Sequence, residues 1–334
     1  MSKPIPTLTD MPWNVKQDIV NYLDYVTRLS LRKCTRELRN IIDNSEVKYP
    51  VLCVALLEHG IRISFYSKSL EHQQNLSNMI EYSEVSDDSC KVTYKKRGED
   101  FHMIVTGQNC IQRAISDFAT LVKSPRSYLL SLVFNHEKSN SAAHKQRLEM
   151  MFTCFKNTLE TLPHKPNVHQ LYFHFPASQD DVLHVLPYLK PQVLKHIIIM
   201  NRTRTLKNLE DTEQWKAAEK ITLTCTSNVQ IRNLLHLLSF DLKNYQLVPE
   251  EMPLLIQKIL TRRNTSFHYR IGLRKNYDKG PIRKWLADNK ELATGHYMNS
   301  WYAKIPGTDN HYNILFEDSE LQIYSFLSRN LQNK

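Results

Sequence analysis

LTDMPWNVKQDIVNYLDYVTRLSLRKCTRELRNII, residues 8–42, holds three short amphipathic segments in 35 residues. Asp10-Met11-Pro12 is a helix start, because proline suits the first turn, where its missing N–H is not needed. Val15, Ile19, Val20 and Leu23 then recur at helical spacing and mark one apolar face. Asp24 is placed to cap a second helix carrying Val26, Leu29 and Leu31. Thr35 is placed to cap a third with Leu38, Ile41 and Ile42, with Glu37 in its first turn. So small a set of helices buries little surface, so it must pack on something: the rest of the chain, as an ordinary helical subdomain, or a partner. Periodicity does not separate the two.

Residue identities do. A Leu, a Pro a few residues on, Val/Ile and Leu at helical spacing, then a basic, Leu-rich second half fall at Leu8, Pro12, Val15, Ile19, Leu23, Leu29, Leu31, Leu38 and Ile41. The pattern resembles the F-box, the adaptor-docking module of cullin-type ubiquitin ligases. The run Leu23-Asp24, Arg28-Leu29, Leu31-Arg32-Lys33, Leu38-Arg39 is similar to its nematode branch. The resemblance spans the module without a gap; Asn14 departs from it, where many members are acidic. It implies that residues 1–46 dock a small Skp-type adaptor through Leu8, Pro12, Val15, Ile19 and Leu23, with Leu29 and Leu31 in support. Such adaptors resemble acidic proteins, which gives Arg28, Arg32 and Arg36 a part in encounter.

The chain has 334 residues, room for this module plus one large domain or two medium ones. Apolar content of 41% supports a sizeable core, and 7 glycines with 14 prolines argue against low complexity. No basic start precedes an apolar run, so the sequence predicts no signal peptide. The apolar run Val51–Leu57 is too short to span a bilayer. The cytoplasm or nucleus is the default location. The six cysteines, Cys34, Cys53, Cys90, Cys110, Cys154 and Cys225, come no closer than 19 residues, which excludes C-x-x-C and a zinc pattern and predicts reduced, mostly buried thiols. The sequons at Asn75, Asn201 and Asn264 read as chance matches.

The net charge of +10 is uneven: Leu255–Lys290 holds ten Lys/Arg and two Asp/Glu. Arg262, Arg263, Arg270, Arg274 and Lys275, interleaved with Phe267, Tyr269, Tyr277 and Trp285, form a candidate patch for an acidic partner or nucleic acid. A solvated charged face accounts for the same residues, and no nucleic-acid motif accompanies them.

Beyond a hinge expected at Glu46–Pro50, strands are expected at Ile61–Tyr66, Cys90–Lys95 and Phe101–Thr106, and loops at Glu81–Asp88 and His136–Ala142. An apolar-x-x-apolar-x-apolar spacing then recurs at Leu129/Leu132/Phe134, Val168/Leu171/Phe173, Leu194/Ile197/Ile199 and Ala218/Ile221/Leu223, at intervals of 39, 26 and 24 residues. Helix-like segments fill the gaps, the clearest at Asp180–Leu189 behind a Ser178/Asp181 capping pair. Strand and helix alternating near this period resemble a leucine-rich-repeat-like solenoid with a concave sheet left for a partner, although the usual Asn ladder is missing. An ordinary α/β layer fold shares these spacings. Later come a helix at Val248–Arg262, a strand through Phe267, Tyr269, Ile271 and Leu273, and a Gly280-Pro281 turn with a short helix Ile282–Ala287. Strands at Trp301–Ile305, Tyr312–Phe316 and Leu321–Phe326 close the chain, with Pro306-Gly307 as a turn.

Glu213-Gln214-Trp215-Lys216-Ala217-Ala218 before the strand Ile221–Thr224, a helical Leu234–Phe240, Trp301-Tyr302 before Ile305-Pro306 and the strand at Leu321–Tyr324 resemble the FTH domain of nematode F-box proteins. The resemblance implies a partner-binding domain without catalytic residues. The fold expected is therefore α/β: a three-helix F-box (1–46), then an α/β leucine-rich-repeat-like curved domain comprising 51–150 and an FTH domain at 151–330. The seven glycines form neither G-x-G-x-x-G nor a P-loop, and H-E-x-x-H and G-x-S-x-G are absent. His164, His169 and His174 read as surface or edge histidines, since alternation puts the last two on opposite faces. Cys110 and Cys154 lack a setting that lowers a thiol pKa. No cofactor, metal or catalytic residue is expected. The function expected is that of a substrate-recognition subunit of a cullin-type ligase, with a Skp-type adaptor, a cullin complex and an unknown target as partners and no membrane. The alternative is a non-degradative binding protein or translational regulator using Leu255–Lys290.

Overall fold

The computed structural model describes residues 8–23, 25–45, 48–66, 76–96, 99–137, 139, 141–200, 208–224, 229–261, 266–274, 277–289, 293–294, 300–305, 310–317 and 319–327. They divide into unit one, Met1–Tyr172 with His184–Leu194, and unit two, Phe173–Leu183 with Lys195–Lys334.

Unit one opens on a 3-10 turn, Leu8–Asp10, and three helices: α1 (Trp13–Tyr22), α2 (Tyr25–Cys34) and α3 (Arg36–Asn44). Pro12 immediately precedes α1 at φ −55°, and Thr35 Oγ1 caps α3 by accepting from the Leu38 N–H at 3.1 Å. Among the described residues the shared core comprises Val20, Leu38, Ile41 and Ile42, with Leu8 and Leu31 packed against it.

Strand β1 (Lys48–Leu57) begins where a hinge was expected. Lys48 and Tyr49 already pair with Tyr128 and Leu129, and proline is tolerated near a strand's start; Glu46 and Val47 lie outside the described residues. An antiparallel meander follows: β2 (Gly60–Tyr66), β3 (Leu76–Ser86), β4 (Ser89–Lys96) and β5 (Glu99–Thr106). The loop expected at Glu81–Asp88 is mostly β3. Ile80 and Tyr82 are fully buried on one face, while Glu81 meets Lys95 at 3.1 Å on the other. The polar composition belongs to the wet side of a half-buried strand. At Gly60 β2 runs so close to β3 that any Cβ would press into the Tyr82 carbonyl. β5 ends the strand order and leaves Phe101 and Ile104 exposed.

Helix α4 (Cys110–Val122) starts on a capping box between Asn109 and Gln112 and packs on β2, β3 and β4. β6 (Tyr128–His136) returns parallel to β1, and α5 (Ala142–Thr161) leads to β7 (Asn167–Phe173). The unit's strand order is β7-β6-β1-β2-β3-β4-β5. Phe155 of α5 stands edge-on to Phe118 of α4 at 5.0 Å and to Phe134 of β6 at 5.1 Å, joining both helices to the sheet.

Unit two starts with α6 (Gln179–Leu183), where the Ser178 N–H donates to Asp181 Oδ2 at 2.7 Å and the Asp181 N–H to Ser178 Oγ at 3.1 Å. The helix expected to reach Leu189 stops there. Leu186–Tyr188, which belongs to unit one, is a 3-10 turn, since Pro187 has no N–H to continue the α-helix. Then come β8 (His196–Ile199), α7 (Glu213–Ala217), β9 (Lys220–Leu223), β10 (Ser239–Tyr245), α8 (Glu251–Leu260) and β11 (His268–Leu273). Last are α9 (Gly280–Asp288), β12 (Ala293–Thr294), β13 (Ser300–Lys304), β14 (Asn310–Phe316) and β15 (Glu320–Leu327). β8 to β11 run parallel, and β15, β14, β13 and β12 continue from β11 antiparallel.

Two further expectations fail here. Leu234–Phe240 is not a helix: a 3-10 turn covers Ile231–Leu234, and β10 starts at Ser239, burying Phe240 and Leu242 in alternation. Gly280-Pro281 is not a turn before α9 but its first residues, where proline fits. The fold is mixed α/β, built on extensive sheet. Register partners Ile197, Ile221, Phe240 and Tyr269 in successive parallel strands lie 24, 19 and 29 residues apart, so the period is loose.

His144, in the first turn of α5, is buried, with Nε2 3.3 Å from His136 Nδ1. Burial, then the neighbouring His136 and Arg147, holds its pKa below the ordinary value, against a smaller pull from Glu137 and Glu58. The unfolded chain therefore takes up this proton first. The stability His144 contributes is whole above its unfolded pKa of about 6.5 and is lost as pH falls from there through the lower folded value. The unfolding midpoint of the wild type should fall between about pH 7 and pH 5 more steeply than that of His144→Gln; equal slopes in thermal melts would contradict this.

Candidate functional site

The first helix carries two kinds of apolar residue. Val20 is fully buried, and beside it Lys16 is buried too, its Nζ 2.7 Å from Glu37 Oε1. Pro12, Trp13, Val15 and Tyr22 are exposed, Tyr22 at 91%, and Ile19 is half-buried. The single inward face read from Val15, Ile19, Val20 and Leu23 is therefore split. Val15 and Val20 lie about 140° apart around a helix, whereas Lys16 and Val20 lie about 40° apart. The lysine takes the inward place because a carboxylate meets its charge there.

Among the sequence-predicted residues, Pro12, Val15 and Ile19 share an outward stripe of α1. Leu23 is half-buried at the helix end, where its N–H donates to the Val20 carbonyl. Leu8 and Leu31 pack on the internal core instead, and the Leu29 side chain lies outside the described residues. Sequence reasoning missed Tyr22, seven residues after Val15 and three after Ile19 and so on the same stripe.

The three arginines assigned to encounter are not equivalent. Arg28 is buried: Nε donates to the Leu23 carbonyl at 3.0 Å, one terminal nitrogen to the Asn21 carbonyl at 3.0 Å and the other to Ser45 Oγ at 3.2 Å. It closes the C-terminus of α1 and ties it to the end of α3. Arg32 binds Asp43 through two bonds, at 2.7 and 3.1 Å. Only Arg36 is exposed.

In the basic region Arg262, Arg263 and Lys275 lie outside the described residues. Arg274 is exposed, and Arg270 donates to Glu320 Oε2 at 2.8 Å, a bond that raises its pKa further. Phe267 and Tyr269 are core residues, Tyr269 stacked on Phe240 at 4.4 Å, so neither offers a ring to a base. Trp285 is half-buried.

The rest of unit two presents another surface. Ile197, Ile221, Phe240, Tyr269, Ile323, Ile314 and Trp301 form one register row, all buried. The adjacent row, His196, Lys220, Ser239, His268, Tyr324, Asn313 and Tyr302, is half-buried or exposed throughout.

Burial raises Cys53 to about 11 and pushes the Cys90, Cys110 and Cys154 thiols upward, the opposite of nucleophile activation. Cys225 lies outside the described residues. Among the described residues no three His, Cys, Asp or Glu side chains converge as a metal site, and no helix is long and apolar enough to cross a membrane.

The F-box domain family matches residues 8–49, and the FTH domain family matches residues 149–286. The Caenorhabditis elegans protein F-box A protein 224 is 25% identical over 236 residues, covering 69% of this chain. The match spans 57% of that relative's length. No solved structure matches.

Truncating Arg28 would remove the side-chain donor from the Asn21 and Leu23 carbonyls and from Ser45 Oγ. Arg28→Ala should destabilise the helical module by about 1–3 kcal/mol, while Tyr22→Ala should change stability by less than about 0.5 kcal/mol. Hydrogen exchange across α1–α3 measures both; equal effects would mean that Arg28 does not hold the module.

Proposed function

Since the chain is a nematode-type F-box protein with an FTH domain, we propose that it is a substrate-recognition subunit of a cullin-type, SCF-like ubiquitin ligase. F-box domains link targets to such ligases. The observation that carries the reading is the outward stripe of α1, where Pro12, Val15, Ile19 and Tyr22 stay in contact with solvent although the module has an apolar core close by. A Skp-type adaptor would cover this stripe, with Leu23 at its end and the exposed Arg36 tuning encounter. Leu8, Leu29 and Leu31 belong to the same docking module, residues 1–46; the first and last support it from within.

Residues 51–150 and the FTH domain at 151–330 would hold the target, the parallel run β8–β11 acting in the manner of a leucine-rich-repeat-like sheet. Catalysis would then come from proximity, by raising the concentration of a target lysine near the charged enzyme, with no chemistry carried by this chain. The cytoplasm or nucleus fits this role.

The test is a pull-down of full-length protein, wild type and Pro12→Ala/Ile19→Asp, with Skp-type adaptor and cullin. A carboxylate in a desolvated contact costs several kcal/mol, so the wild type should retain both partners and the variant lose them by about a hundred-fold. Matching circular dichroism shows that the variant is folded. If the folded wild type holds no adaptor, the ligase reading fails.

A further inference from the structure

We propose that the open face of the sheet in unit two, from β8–β11 across β15, β14 and β13, docks an acidic segment of the target protein. The inference rests on the substrate-recognition reading and adds the chemistry of what is recognised.

Parallel strands are normally covered on both faces. In β8–β11 one set of side chains is fully buried, while its neighbours one residue away are not. Helices α8 and α9 lie on the buried side: Arg283 of α9 stands over the Phe316 ring at 5.7 Å, and Tyr245 OH bonds Glu251 of α8 at 2.7 Å. Among the described residues the other side bears Lys220, Lys243, Arg270 and Lys304, all exposed, with the carboxylates Asp241, Glu317 and Glu320 around Arg270. Glu320 is already bound to Arg270. Histidines at 196, 268 and 311 add to the donors on this face.

The geometry suits an extended or flat protein surface. Neighbouring strands are about 4.8 Å apart, so the row from Lys220 to Tyr302 spans about 24 Å, the reach of about seven extended residues. Tyr302 and Tyr324 supply the amphipathic rings that protein interfaces favour. Tyr324 is already fixed, its hydroxyl accepting from Asn313 Nδ2 at 2.8 Å and its ring meeting His268 edge-on at 6.2 Å. Asp241 stands in register with Arg270 and Glu320 is bound to it, so the face lacks the uniformly basic stripe of a nucleic-acid site.

The test is fluorescence anisotropy on the full-length chain, with labelled peptide pools of about twelve residues. One pool mixes Asp and Glu with Leu, Tyr and Gly; a second replaces the acids by Lys and Arg; an oligouridine RNA is the third probe. The acidic pool should bind about ten-fold more tightly than the basic pool. Lys220→Glu/Lys304→Glu should lower that affinity about ten-fold, and Lys91→Glu/Lys123→Glu, an equal charge change in unit one, should leave it within about two-fold. Lys220→Gln/Lys304→Gln, which adds no charge, should show the same direction of loss. An equal loss in the unit-one variant would reduce the effect to net charge and overturn the proposal. So would indifference to peptide charge, or tighter binding of RNA lost in the same variants. Adaptor retention, read in parallel, separates the two claims: adaptor lost with peptide retained refutes the ligase reading alone, and the converse refutes this face alone.

Discussion

Hydrogen bonding between strands fixes their register, and register fixes which side chains share a face. In unit two this constraint carries a buried row unbroken from Ile197 to Trp301 across seven strands, through a change from parallel to antiparallel pairing at β11/β15. A slip of one residue anywhere along it would exchange Phe240 for Ser239 or Tyr269 for His268. The core is thus a property of the pairing, and the polar surface beside it is its unavoidable complement. Unit one obeys the same rule in its meander, where Ile80 and Tyr82 face inward between polar neighbours.

The N-terminal helices work differently. Beside the apolar cluster of Val20, Leu38, Ile41 and Ile42, charged groups tie the three helices together. Lys16 reaches Glu37, Arg32 reaches Asp43, and Arg28 binds the carbonyls that α1 leaves open at its end. With charged groups taking inward positions, apolar residues such as Val15 and Tyr22 remain for the outside. The orientation of the stripe on α1 follows from where its cations are bound.

Much of this was legible in sequence. Thr35 announced the start of α3, Ser178 and Asp181 announced α6, and period-two alternation located β6 to β9 and the closing strands. What failed has identifiable causes. The polarity of Glu81–Asp88 describes only one side of a strand. Leu234–Phe240 has helical composition, but Phe240 pairs in register with Ile221 and Tyr269, and pairing overrides local preference. On α1 the apolar residues were visible, yet nothing in the sequence told Val20 from Val15; that depended on Lys16 finding Glu37 twenty-one residues away. For the same reason Arg28 looked like surface charge. The outward row of unit two needed register between strands far apart in the chain, which no local pattern contains.

The meander in unit one ends at β5, where Phe101 and Ile104 stand exposed beside a backbone edge at the end of the strand order. Such an edge accepts any extended chain that reaches it, without regard to identity. Exposed apolar side chains on such an edge make β5 a liability for association between chains, at a place remote in sequence from both α1 and the sheet of unit two.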